Sequence, residues 1–178
     1  RILPTMAYEG YNFLPTAYGY RSYFDVTPRI NINSLTVGGC DYVIVFQRND
    51  YSVRLVALCN DGIYTADPTT ASVSWTKSVS MTALSPGTYK QWSFCIIEND
   101  LYIYRQAETT VSKLSFAGTF STITPSFLNM SGQMGIFRAN GRLGFWDSAN
   151  SVSWSSNLDF SDFTPAIETL AGNAIFND

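Results

Sequence analysis

The chain has 178 residues, is 46% hydrophobic and only 14% charged, carries a net charge of −3, and contains no histidine. That length supports one domain with a real core. The weak acidic balance gives no basic footprint for nucleic acid, and the missing histidine removes the commonest general base and metal ligand.

In chain order, residues 1–35 differ from the rest. They are rich in Tyr, Pro and Gly, as in Gly10-Tyr11-Asn12-Phe13-Leu14-Pro15 and Tyr18-Gly19-Tyr20. Pro4, Pro15 and Pro28 forbid a continuous helix there. The expectation is an extended aromatic arm with short edge strands, packed on its own domain or a neighbour. The opening at Arg1 has no initiator Met or signal pattern, and the end at Asp178 has no evident terminus. Both point to a piece of a longer polypeptide. No run of 18 apolar residues exists, so no helical membrane span is expected.

Residues 42–48 and 53–59 are β-branched runs around Asn49-Asp50-Tyr51-Ser52, which predicts a hairpin. Asn60-Asp61-Gly62 then turns the chain into 63–66, and 71–78 supplies a fourth strand. The plan returns at 91–98, Asn99-Asp100 and 101–106, followed by 111–116. It returns again at 133–139, Asn140-Gly141, 142–146 and 151–155. Asn-Gly is the strongest hairpin dipeptide, because both residues tolerate positive φ. Residues 165–171 are expected to form a short helix.

Two markers share a period. The turns Asn60-Asp61, Asn99-Asp100 and Asn140-Gly141 lie 39 and 41 residues apart. The pairs Ser74-Trp75, Ser115-Phe116 and Ser153-Trp154 lie 41 and 38 apart. A period of about 40 residues fits four-stranded propeller blades. The predicted fold is therefore all-β and propeller-like, with repeats at about 36–80, 81–120 and 121–165 and a C-terminal connecting segment. The inner strands, 42–46 and 94–97, are expected to be buried on both faces. Trp75, Phe116 and Trp154 read as core plugs between blades, or alternatively as platforms on which sugars stack.

Few residues suggest chemistry. Cys40, Cys59 and Cys95 are odd in number, show no CxxC spacing, and read as buried free thiols. Asp147 to Trp154 resembles the Asp-box turn of sialidase-type propellers, but Asn150 and Val152 depart from it. Asp159 and Asp162 read as turn-formers rather than an acid/base pair. Asn49-Asp50 and Asn60-Asp61-Gly62 lack a calcium-loop pattern. Arg21, Arg29, Arg48, Arg54, Arg105, Arg138 and Arg142 read as strand-edge charges. The sequence therefore gives no catalytic residues, no metal ligands, no cofactor site and no enzyme class.

The segment Trp154-Ser155-Ser156-Asn157-Leu158-Asp159-Phe160-Ser161-Asp162-Phe163-Thr164-Pro165, preceded by Asn140-Gly141-Arg142-Leu143-Gly144-Phe145-Trp146-Asp147, resembles a pattern in tail proteins of short-tailed bacteriophages. The lead-in Gly10-Tyr11-Asn12-Phe13-Leu14-Pro15-Thr16 and Tyr18-Gly19-Tyr20-Arg21-Ser22-Tyr23-Phe24 is similar to theirs. The resemblance implies a virion structural protein of the nozzle or tail-hub kind. Such a protein assembles as a ring around the DNA exit channel. Its partners would be copies of itself, the portal or adaptor, and fibres or spikes, with DNA only as passing cargo. The alternatives are a carbohydrate- or receptor-binding propeller and, further off, a glycosidase, which needs two carboxylates across a cleft.

Overall fold

A computed structural model of the chain describes residues 13–16, 19–22, 40–69, 73–85 and 88–176. β1 (Phe13–Thr16) and β2 (Gly19–Ser22) pair as an antiparallel hairpin. The remainder of the expected 1–35 arm lies outside the described residues.

The other strands form three four-stranded antiparallel sheets, each a simple meander. The first holds β3 (Cys40–Gln47), β4 (Val53–Cys59), β5 (Gly62–Ala66) and β6 (Thr76–Ser80). The second holds β7 (Trp92–Ile97), β8 (Asp100–Arg105), β9 (Val111–Leu114) and β10 (Phe120–Ile123). The third holds β11 (Gln133–Ala139), β12 (Arg142–Asp147), β13 (Ser151–Trp154) and β14 (Gly172–Ile175). The fold is all-β, built of propeller-like blades. Among the described residues the only helical turn is a 3-10 turn at Met130–Gly132.

Local chemistry explains the hairpins. The loop between β11 and β12 is Asn140-Gly141, with φ of 47° and 80°. The loop between β7 and β8 is Glu98-Asn99, also at positive φ, and Asp100 already belongs to β8. Positive φ at both loop positions matches the right-handed twist of the paired strands.

The core lies between sheets. Phe46, Val56, Leu58 and Ile63 of the first blade meet Trp92, Leu101, Ile103 and Leu114 of the second. On the other face of the second blade, Tyr102, Tyr104 and Val111 meet Ile136, Leu143 and Phe145 of the third. The alternation along β8 produces this: Leu101 and Ile103 point one way, Tyr102 and Tyr104 the other. Edge-on aromatic contacts order the second seam, with Tyr104–Phe145 centroids at 5.3 Å and Phe145–Phe163 at 5.5 Å.

Three expectations need correction. Residues 165–171 form no helix. They run as turn and extended chain, tied by Ala166 N–H donating to Ala171 O and Asn157 N–H donating to Thr169 O. The chain then returns as β14, so the third sheet gains its fourth strand beyond residue 165. The deepest strands are also not the first of each blade. Val45 is 67% exposed and Ile96 49%, whereas β4 and β8 are almost wholly buried. The second strand has a paired strand on each side and packing over its faces; among the described residues the first strand stands at the edge of its sheet. Finally, Arg105 is no edge charge: it sits on β8 and is 1% exposed.

Candidate functional site

The chemically densest regions are the seams between blades, and the sequence markers fall unevenly upon them. Asn60-Asp61 joins the second and third strands of its sheet, while Glu98-Asn99 and Asn140-Gly141 join the first and second. The turn of the first blade that corresponds to those two is the one spanning Arg48 to Ser52, between β3 and β4. The Ser-aromatic pairs keep their place better. Trp75, Phe116 and Trp154 all lie at the passage from third to fourth strand.

Asn60-Asp61 is instead a joint. The Asn60 side chain accepts from Leu84 N–H at 2.8 Å and donates to Leu84 O at 3.3 Å, which holds the crossover to the second blade. Met81 N–H donates to Asp61 O. The Asp61 carboxylate accepts from the Tyr64 hydroxyl at 2.8 Å and from Lys77. Burial raises the Asp61 carboxyl, but the Lys77 and Tyr64 hydrogen bonds outweigh it, and the net position is below 3.8.

Arg105 reaches into the same joint. It donates to Asn60 O at 2.6 Å, to Thr82 O at 3.0 Å, and to Glu108 at 2.6 and 3.0 Å. Its guanidinium lies 5.6 Å from the Trp92 ring, and Trp92 donates to Asp41 on β3 at 3.0 Å. On the opposite face, the Tyr104 hydroxyl donates toward Met130 O and Gln133 O, at 3.2 and 3.4 Å, and accepts from Ala107 N–H. Burial pushes the Tyr104 phenol up to about 12, so it stays a donor.

The three aromatic markers are half-buried. Phe116 packs on the seam between first and second blades, and its carbonyl accepts from Asn49 N–H at 3.0 Å. Trp75 covers Leu55, Ala66 and Val73 on the other face of the first blade. Trp154 donates to Leu170 O at 2.9 Å and lies against Gly172, where a Cβ would stand 2.8 Å from its ring. Trp146 and Phe137 cover Gly135 and Gly144 in the same manner. These side chains fill outer sheet faces and, at Phe116 alone, a seam.

Two clefts open between neighbouring blades. One, of about 340 Å³, lies between the first and second and is lined by Arg54, Thr65, Thr76, Ser78, Gly118 and Phe120. The other, of about 600 Å³, lies between the second and third and is lined by Glu98, Tyr102, Lys113, Ser121, Asn157 and Phe160 among others. They correspond by register. Val56, Thr65 and Thr76 stand in a row across the first blade, as Tyr102, Lys113 and Ser121 do across the second. Sequence reasoning missed both clefts, since their walls come from three separate stretches of chain.

No protein-family model matches the chain, and no curated protein does. A solved structure titled "Streptogramin B lyase structure" is similar, with a TM-score of 0.45 and 12% identity over 80% of this chain. The chain spans 43% of that structure.

The carboxylates serve turns. Asp147 accepts from Ala149 N–H at 2.8 Å and from the Ser151 N–H and hydroxyl, at 3.0 and 2.7 Å, which builds the turn between β12 and β13. Asp159 accepts from the Ser161 N–H and hydroxyl, and Asp162 from Thr164 N–H, as expected of turn-formers. Cys40, Cys59 and Cys95 are free; Cys59 is buried and the other two half-buried. Among the described residues no group of three or more His, Cys, Asp or Glu could hold a metal ion. No helix of the described residues is long and apolar enough to cross a membrane.

Proposed function

We propose that the chain is a structural protein of a bacteriophage tail, of the nozzle or hub kind, which works by assembly and carries out no catalytic step. Blades present rigid edges to neighbouring copies in a ring around the DNA exit channel, and other tail parts dock on it. One observation carries this: exposed apolar side chains on the first strands of two adjacent blades. Tyr42 on β3 and Phe94 on β7 meet ring to ring at 6.2 Å with Ile96 exposed on the same face of β7, while Val43 and Val45 are exposed on the opposite face of β3; all five are at least 40% exposed. Contiguous exposed apolar surface marks an interaction site, and closed rings are the usual outcome of repeated identical contacts.

The resemblance of residues 154–165 to tail proteins adds support. In the fold this segment is structural: it drives Phe163 into the seam between second and third blades and buries Ser155 and Ser156. The test is mass spectrometry of purified tailed particles that encode the chain. Its peptides are expected in the tail fraction at a fixed ratio to the portal. Their absence from intact particles would overturn the proposal. A carbohydrate-binding module is the second reading, and the larger inter-blade cleft favours it.

A further inference from the structure

We propose that Cys40 and Cys59 form a reversible dithiol–disulfide pair, a redox-sensitive staple between the start of β3 and the end of β4. This goes beyond the assembly reading and does not rest on it.

The two thiols meet across one hairpin. Cys40 and Cys59 are register partners in the antiparallel pair β3–β4. Residues directly opposite in such a pair hold their Cα atoms about 4.5–5.5 Å apart. That lies inside the span of about 4.4–6.8 Å that a disulfide bridges. Both side chains belong to one small cluster with Ala57, Tyr64 and Trp75, and the two thiols hydrogen-bond to each other. A buried cysteine is ordinarily a small apolar filler. Two in hydrogen-bond contact on paired strands are a built dithiol. The third cysteine, Cys95, packs in the seam between the second and third blades and serves as a contrast.

Exposure divides the roles. Cys40 is half-buried and Cys59 fully buried, so a small disulfide such as oxidised glutathione meets Cys40 first. Burial raises both thiols, Cys59 to about 12, and the bond between them then lowers Cys40 and raises Cys59. The thiolate, which is the nucleophile, therefore forms at Cys40. It attacks one sulfur of the reagent, breaks the S–S bond and releases one glutathione thiolate, which takes up a proton. Cys59 then gives up its proton and attacks the Cys40 sulfur of the mixed disulfide, expelling the second glutathione. Two protein thiols are oxidised and one glutathione disulfide is reduced to two thiols. In the reduced form the Cys40 thiol donates to Tyr42 O at 3.0 Å, a bond that the disulfide gives up.

The staple acts where the first blade is fastened to the second. The register shifts between Cys40 and Tyr42, so Asp41 bulges out of the pairing, and its carboxylate accepts from Trp92 of the second blade at 3.0 Å. Cys59 leads directly into Asn60, whose side chain holds Leu84 and whose carbonyl holds Arg105. A bond from Cys40 to Cys59 ties these two anchors together. It also closes a loop of chain, which restricts the unfolded state and so favours the folded one.

The test is incubation of the folded chain with oxidised glutathione under mildly alkaline conditions, followed by acid quench, alkylation, digestion without reduction and mass spectrometry. The expected product is two hydrogens lighter, carries one linked peptide pair holding Cys40 and Cys59, leaves Cys95 free to be alkylated, and reverts fully with dithiothreitol. The oxidised form should melt roughly 5–10 °C higher than the reduced one. Cys59→Ser should stop at a single glutathione on Cys40, because the resolving thiol is gone. The proposal is overturned if the wild type keeps both thiols, stops at the mixed disulfide, links through Cys95 or between two chains, or melts no higher once oxidised. The wild-type linkage decides the matter even where Cys59→Ser does not fold. None of these outcomes depends on ring formation, so failure here leaves tail assembly untouched.

Discussion

Tyr104 and Arg105 are consecutive on β8, face opposite sides of the middle blade, and each clasps two main-chain carbonyls of a different neighbour. Tyr104 holds Met130 O and Gln133 O at the entry to the third blade. Arg105 holds Asn60 O and Thr82 O of the first. Two-residue alternation in one strand thus fastens three sheets together.

Loss of either clasp should weaken a different seam. Arg105→Ala leaves two main-chain carbonyls without their donor and Glu108 with Lys90 as its remaining partner. It should cost about 2–6 kcal/mol, chiefly from the carbonyls left unsatisfied. Tyr104→Phe removes one hydroxyl and should cost about 1–2 kcal/mol. Urea unfolding would measure both. Because the two residues share no partner, the double variant should show near-additive losses.

Glycines under the aromatic rings are a second point of sensitivity. A Cβ at Gly135 would lie 2.2 Å from the Trp146 ring, and one at Gly144 would lie 2.6 Å from the Phe137 ring. Gly135→Ala and Gly144→Ala should each destabilise by about 1–3 kcal/mol through overpacking. Gly141→Ala meets no neighbour within 4 Å but keeps a φ of 80°. It should cost about 1 kcal/mol from backbone strain alone. Thermal melts of the three variants would separate crowding from strain.

Acid should unfold the protein through its turn carboxylates. Asp147 and Asp159 sit below 3.8, chiefly because the hydroxyls of Ser151 and Ser161 donate to them. Asp61 also sits below 3.8: burial raises it, and Lys77 and Tyr64 more than compensate. A folded pKa below the unfolded one means the unfolded chain binds more protons. The stabilisation is therefore complete above about pH 4 and is lost as pH falls through the folded values. Unfolding free energy should be nearly flat from neutral pH to about 5 and drop below about 4. Asp61→Asn should shrink that drop. Equilibrium urea titrations at several pH values would show it.

The thiols should be slow to react in the folded state. Burial raises all three, Cys59 and Cys95 up to about 12. Thiolate is the reactive form. Iodoacetamide at pH 8 should modify Cys59 and Cys95 far more slowly than in urea, with mass spectrometry as the readout.

Much of the architecture was legible because hairpin chemistry is local. Asn140-Gly141 marked its turn, and the β-branched runs around residues 49–52 marked β3 and β4. The phase of the repeat was not legible. The first blade carries two Asn-Asp turns, at Asn49 and Asn60, and the chain period selected the one that serves as a joint. The role of Arg105 was hidden as well. In a run alternating Leu, Tyr, Ile, Tyr and Arg, nothing local says that sheets cover both faces. Arg105 looked like an exposed charge. Residues 165–171 lost their expected helix because long-range bonds to Asn157 and within the segment fix an extended return to β14.

The assembly proposal turns on the exposed apolar side chains of the two first strands, Val43 and Val45 on one face of β3 and Tyr42, Phe94 and Ile96 on the side where the two blades meet. The most direct measurement is native mass spectrometry of the purified protein beside a Val45→Lys, Ile96→Lys variant. A ring of fixed copy number that the variant reduces to monomer is the expected result. A wild-type protein that stays monomeric at high concentration, or a ring that survives both lysines, would contradict it.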